Sequence, residues 1–561
     1  MNSSKKKFSI TILITVFIAI VRVPISGTIE GEHDYFTRKS LGDYIGALRS
    51  VVQQTCSLRD PLLIETNIFR IEELMDHPGL YKEGLASCGR IRAVSPGVRE
   101  NRYLLGRLEL LENDILWKTG KTAESLRTRD SLGFFCNFMM TGPFENRGLS
   151  GFNAVLPPEK EISEGVVYRG KLCEMSWFRT SADVRGIVDM DEIFESTEDS
   201  LFYLLTAFRV PEGGSYLLHL GRSGYTDIFV DGKKVYSGRE QHSFGRDQYR
   251  IGVRLSAGIH RILVKTGSHE RGGIKISLRM TDLNDVPVSL REEPLFSSFS
   301  GTAHGTGVSY FSSLKMLQGK KSLSAGDNFR LGYFFMQSGL HNDRERQGIV
   351  FFNAEKHSEV YGSPSEYYCG IIEKKWGAKD LHYRKSLHHN PRSIEALEKA
   401  VELRLIRDRL YEAQPLINRI REIDPDAPLY FYLQGKLLLR KGWYHQAGKL
   451  SENILSSGYR DKGLYLNAHS AMKLKQYHNA AEQFRKLYRR KRTSPEVLEQ
   501  YVSCLEKCGR YEEAMEVLSR ALSIFPNSTR IRLRLSSLSG TIKGDRTMLP
   551  FLSSILKMSP C

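Results

Sequence analysis

"GRYEEAMEVL", residues 509–518, decides the fold because it recurs. Three earlier stretches, "RLYEAQPLI" (409–417), "GWYHQAGKL" (442–450) and "KQYHNAAEQF" (475–484), also set an aromatic ring shortly before an alanine. The alanines Ala413, Ala447, Ala480 and Ala514 follow one another at a nearly constant interval of about 34 residues. Four residues beyond each stands Ile417, Ser451, Phe484 or Leu518; twelve beyond the first and last stand Pro425 and Pro526. Such a unit reads as a pair of helices. The alanine lets the two helices approach closely, the ring fills the gap to the next unit, and the proline stops the second helix. Gly442 and Gly509 fall at the turn inside the pair, where a residue without Cβ is free to take a left-handed conformation.

Four such units in register resemble the tetratricopeptide repeat, whose period is the same. The register extends backwards. Pro391 lies one period before Pro425, with Tyr383 and Ser386 in the second-helix positions of "DLHYRKSLHHNP". Residues 327–359 read as another helix pair around Gly339, which places the array at 323–543, followed by a tail at 544–561. Near the other end, Gly84, Cys88, Ile91 and Pro96 carry the offsets of a second repeat helix, so 28–130 is expected to be a helical domain of similar design.

From Phe134 the helical period is lost. "LFYLLTAFRV" alternates over 201–210, and "TDIFVDGKKVYSG" (226–238) reads as two strands around Asp231-Gly232, the dipeptide of a tight type I′ hairpin. Val253 and Leu255, then Ile262 and Val264, then Ile274, Ile276, Leu278 and Met280 continue the alternation. Short strands at this spacing predict an antiparallel β-sandwich over 131–292. The Ser/Gly-rich stretch that follows, 293–322 with "GTAHGTG", reads as a linker. The fold class is therefore α+β and multidomain: a helical segment, an antiparallel sandwich, then a tetratricopeptide-type α-solenoid.

The words Gly142-Pro143-Phe144, Pro157-Pro158-Glu159, Trp177 and Val230-Asp231-Gly232, set before the repeats, resemble a bacterial envelope family. Its members place a PA14-like, galactose-binding-like jelly roll beside tetratricopeptide repeats, and longer members add a transglutaminase-like module. The resemblance implies the non-catalytic part of that architecture. Calcium-dependent PA14 lectins hold the ion with an adjacent Asp pair before the hairpin. Here "LGRSGYTD" offers Ser223-Gly224 and only Asp227, so neither metal nor cofactor is expected. Metal-free sugar binding would use Tyr225, Tyr236 or Trp177 as stacking rings.

Composition narrows the partners. The net charge of +17 favours acidic ones. Lys5, Lys6 and Lys7 precede an apolar run at 8–21, which predicts a secretory signal or N-terminal anchor over 1–27. The body is then exported to the periplasm or cell envelope, nucleic acid is not expected as a partner, and a membrane is met only through an uncleaved N-terminal segment. Of eight cysteines, none forms a CxxC pair; Cys136 and Cys173 both fall in the sandwich, where a bridge between them is possible. HExxH, GxSxG and Walker A patterns are absent, and "DMDE" (189–192), a carboxylate-pair candidate, reads as a solvated turn. No catalytic residue is assigned.

The ligand candidate lies on the first helices of the repeats. Helix 429–440 places Tyr432, Lys436 and Arg440 on one face, and helix 461–473 places Tyr465, His469 and Lys473 at equivalent offsets. An aromatic row beside a basic row suits an extended acidic peptide. The expected function is an exported, non-catalytic scaffold binding a protein or peptide. The alternatives are a carbohydrate-recognising accessory protein acting through the jelly roll, and a truncated relative of a transglutaminase-like enzyme.

Overall fold

The computed structural model describes residues 26–543 apart from 195, 270–272, 295, 297–299, 310–321, 340–346 and 458. The apolar run behind the export expectation and the tail 544–561 lie outside the described residues.

The C-terminal array alternates first and second helices: Ile394–Ile406 with Leu410–Ile423, Pro428–Arg440 with Tyr444–Leu455, Arg460–Lys473 with Tyr477–Arg490, Pro495–Lys507 with Tyr511–Ala521, then Thr529–Lys543. Ala413, Ala447, Ala480 and Ala514 are fully buried where the helices of each pair meet, and Ile417, Phe484 and Leu518 are buried one turn on. The four inter-helix turns are congruent. Each holds one residue at positive φ: Asp408 (58°), Gly442 (81°), Lys475 (60°) and Gly509 (71°). In each, the next N–H (Arg409, Trp443, Gln476, Arg510) donates to the carbonyl five residues back at 2.8–2.9 Å, which closes the first helix in the same way every time. Glycine marks only two of these turns, so the other two are not announced by composition.

Among the described residues the middle of the chain holds two large antiparallel sheets and a two-stranded ribbon, Tyr168–Arg169 with Glu174–Met175. One runs in the order Phe178–Ser181, Asn137–Glu145, Ser200–Val210, Gly258–Ser268, Tyr225–Val230, Lys233–Gly238, with Arg291–Glu292 also paired to Ser200–Val210. The other runs Ala303–Ser309, Tyr249–Leu255, Gly214–Arg222, Lys275–Asp282, Ile187–Asp189. Asp231 and Gly232 have φ of 50° and 76°, the type I′ hairpin read from the sequence. Ile228, Val230, Ile251, Val253, Ile276 and Leu278 are buried in one core with Phe202 and Leu204.

Strand Ser200–Val210 is buried on both faces rather than one. Residues 146–177 fold back over it, so Leu201, Tyr203 and Leu205 pack against Phe144, Tyr168 and Trp177. The Trp177 indole N–H donates to Tyr168 Oη at 2.9 Å.

Three expectations are corrected here. Residues 303–309, read as linker, are an edge strand whose His304 and Val308 oppose Arg254 and Ile251. The strand is exposed from His304 to Val308, so no apolar alternation marks it. Cys136 is a free thiol while Cys173 is disulfide-bonded, so the two do not pair. Tyr225, Tyr236 and Trp177 are all buried by the sandwich, which leaves none of these rings free to stack on a sugar.

The N-terminal helices, among them Ser26–Ser40, Pro61–Leu74, Tyr81–Val94 and Arg102–Lys118, do not form a core of their own. Phe36 meets Phe329 at 5.2 Å and Phe69 meets Phe334 at 5.7 Å, so they share one core with helices Ala325–Gln337 and Gly362–Ile372. The sandwich is thus inserted into a single helical body. The loop before strand Tyr249–Leu255 turns charged residues towards helix Arg102–Lys118: Arg246 donates to the Leu110 carbonyl at 2.9 Å and pairs with Asp114 at 2.5 Å. Beneath them Arg279 holds Asp247 through Nε at 2.9 Å and Nη2 at 2.5 Å, both residues being almost wholly buried.

Candidate functional site

Successive first helices bring the expected row together. The Tyr432 and Tyr465 rings meet edge to face at 6.5 Å, Tyr465 lies 4.1 Å from His469, and His469 stands 5.3 Å from the buried Phe484. Burial, and then the charge of Lys473, pushes His469 down to about 4, so the ring is neutral at pH 7. Its Nε2 is buried without a hydrogen-bond partner.

The cations are less free than the sequence suggested. Lys436 Nζ sits 5.4 Å from the Tyr432 ring and 3.6 Å from Glu402. Arg440 donates to the Leu405 carbonyl at 2.9 Å and lies 3.7 Å from Asp408. Lys473 stands exposed at the end of its helix.

Three groups of the same face were missed: Glu398, Glu402 and Lys462. Lys462 Nζ holds Glu398 at 2.6 Å and lies 5.1 Å from the rings of Tyr432 and Tyr459. Burial alone would raise the Glu398 carboxyl, but Lys462, Lys399 and Lys436 hold it below its usual range. Glu398 and Glu402 lie one repeat period before Tyr432 and Lys436, so carrying the register back one unit would have found them. The face is therefore mixed in charge: acidic on helix Ile394–Ile406 and basic on the two that follow.

One half of the face is covered by the chain itself. Lys39, buried on helix Ser26–Ser40, reaches Glu395 at 2.9 Å and Glu73 at 3.1 Å. Burial would lower its ammonium, but those carboxylates hold it well above the usual lysine range, while burial pushes Glu395 up to about 7. Tyr44 stacks on His77 at 3.8 Å and meets Tyr459 at 6.4 Å. Trp117 packs against the core of the last repeats, and Asn527 and Thr529 donate to the carbonyls of Ser181 and Ile193 in the sandwich at 2.6 and 2.7 Å. The array is held near both of its ends. Away from that cover Arg440 and Lys473 are exposed, and Lys436 and His469 are half-buried.

The carboxylates of "DMDE" are engaged locally. Asp189 accepts from the Asp191 N–H and pairs with Lys275 at 2.7 Å, Asp191 accepts from Thr197 at 2.6 Å, and burial pushes Glu192 up to about 8. Asp227 is buried against Lys234 at 2.6 Å. Among the described residues no group of three or more His, Cys, Asp or Glu side chains could hold a metal ion, and no helix is long and apolar enough to cross a membrane.

No curated protein sequence matches the chain. Among solved structures, YrrB, described as a TPR protein with an unusual peptide-binding site, is 18% identical; the match covers 32% of this chain and 92% of that one with a TM-score of 0.26. A tetratricopeptide repeat protein from Parabacteroides merdae is 14% identical over 42% and 93%, TM-score 0.31. PilF of Pseudomonas aeruginosa is 16% identical over 35% and 92%, TM-score 0.30. Residues 495–538, the last full helix pair and most of the next helix, match the tetratricopeptide repeat family, and with the congruent units before them they make this a chain that carries tetratricopeptide repeats.

Proposed function

We propose that the protein is an exported, non-catalytic interaction scaffold whose repeat groove takes an acidic, extended segment of a partner protein. The observation that carries the reading is the ladder Tyr432–Tyr465–His469, open on one side and edged by Lys436, Arg440 and Lys473. Rings at successive repeats flank the apolar parts of a peptide, and the cations meet its carboxylates. Lys436 and Arg440 exchange Glu402 and Asp408 for the ligand's acids, so each contributes only the difference between two ion pairs. Export rests on Lys5, Lys6, Lys7 and the apolar run 8–21.

The test is an acidic peptide library probed with the full chain, against a variant carrying Lys436→Ala, Arg440→Ala and Lys473→Ala. Partly solvated pairs contribute about 0.2 to 1 kcal/mol each, so the variant should bind about threefold to 150-fold more weakly, and the affinity of the parent should fall as salt rises. Equal binding by both proteins without salt dependence would move the site elsewhere.

A further inference from the structure

We propose that the edge of the array formed by the four congruent turns is a docking surface for an anionic membrane. Identical turn geometry at 408, 442, 475 and 509 makes the flanking side chains project on one edge of the solenoid. That edge exposes apolar groups which the fold does not use: Ile406 is 63% exposed, Tyr411 93%, Trp443 54% and Leu474 38%. Basic side chains stand between them. Arg407 and Lys475 are exposed, Lys441 lies 5.7 Å from the Trp443 ring, and Lys507 lies 4.8 Å from the Tyr477 ring.

The basic excess is greatest at the two central turns, with Asp408 of the first turn 3.7 Å from Arg440. At the outer turns acids are present, with Glu412 3.6 Å from Arg409 and Glu513 2.5 Å from Arg510. The two central turns, 440–446 and 473–479, contain Arg440, Lys441, Lys473 and Lys475 and no Asp or Glu. Cations at the level of phosphate groups, with indole, phenol and aliphatic tips reaching past them, match the layered chemistry of a lipid surface. A soluble polyanion would engage the cations but gain nothing from Ile406 and Leu474. This favours a membrane over an anionic polymer. The edge shares Arg440 and Lys473 with the groove, and both are left unchanged in the test so that the two readings fail independently.

The full chain is mixed with vesicles of phosphatidylcholine alone or with one-third phosphatidylglycerol. Two variants are compared: Arg407→Gln/Lys441→Gln/Lys475→Gln, and Ile406→Ser/Trp443→Ser/Leu474→Ser. None of the six positions is buried, so thermal midpoints should stay at the parent value. Binding should require the anionic lipid. The charge variant should bind about a hundredfold more weakly and the apolar variant about tenfold more weakly. Tryptophan emission of the parent should be quenched by lipids brominated in their chains, and Trp443→Phe alone should abolish most of that quenching. Equal binding of all three proteins to neutral and anionic vesicles would overturn the proposal. So would a loss confined to the charge variant with full competition by heparin, which would assign the edge to a soluble polyanion.

Discussion

Replacing Asp247 by Asn tests how far a buried charge pair inside the sandwich stabilises the face it turns to helix Arg102–Lys118. Asp247 and Arg279 are 1% and 3% exposed and bond through two guanidinium nitrogens. His219 stands 3.9 Å from the same carboxylate. Burial and the neighbouring Arg279 push the His219 ring well below its usual range, so it adds no positive charge at pH 7. In the variant the guanidinium stays buried with its acid gone. Removing one partner of such a pair costs about 3–5 kcal/mol, mostly through the uncompensated charge. Hydrogen exchange on strand Lys275–Asp282 and helix Arg102–Lys118 reads the loss locally, as a drop of that size in the opening free energy. The double variant Asp247→Leu/Arg279→Met should lose much less than the sum of the single changes, because it leaves no orphaned charge. Burial alone would raise Asp247; the Arg279 guanidinium, by its charge and its hydrogen bonds, holds it well below its usual range. The pair therefore stabilises fully above the unfolded carboxylate value, about 3.9, and this contribution is lost as pH falls below it. Additive single and double effects, or a loss under about 1 kcal/mol, would refute buried charge as what stabilises this face of the sandwich.

Glu65, buried beside Arg107 and bonded by Tyr103, is pushed up to about 7 by burial, so its ionisation weakens the fold as pH rises from about 4.5 to 7. Glu65→Gln should remove that part of the decline, seen in thermal midpoints across pH. Lys39→Met leaves Glu73 and Glu395 facing each other without their cation and should speed exchange in helices Ser26–Ser40 and Ile394–Ile406, with a cost of about 3 kcal/mol or more. Under denaturing, non-reducing conditions Cys136 should take a maleimide label and Cys173 should not until reduced. Gly509→Ala should cost about 1–2 kcal/mol in chemical denaturation, since an added Cβ meets nothing within 4 Å and only the positive φ opposes it.

The repeat array was legible in the sequence because its physics is local and periodic. Ala413, Ala447, Ala480 and Ala514 are buried where their spacing put them, and Tyr432, Tyr465 and His469 form one row because positions one repeat apart stack on neighbouring helices. The Asp231-Gly232 hairpin was legible for the same reason, since its conformation depends on two adjacent residues. The tertiary structure alone decided what covers each surface. Alternation in 201–210 could not reveal that residues 146–177 bury its second face, nor could a run of Gly, Thr and His announce an edge strand at 303–309. The pairing of Lys436 with Glu402, of Lys39 with Glu73 and Glu395, and of Asp247 with Arg279 joins groups distant along the chain or on separate elements. Periodicity reports which side of an element is apolar. Which charged side is sealed from water, and by what, depends on contacts made only when the whole chain has closed on itself.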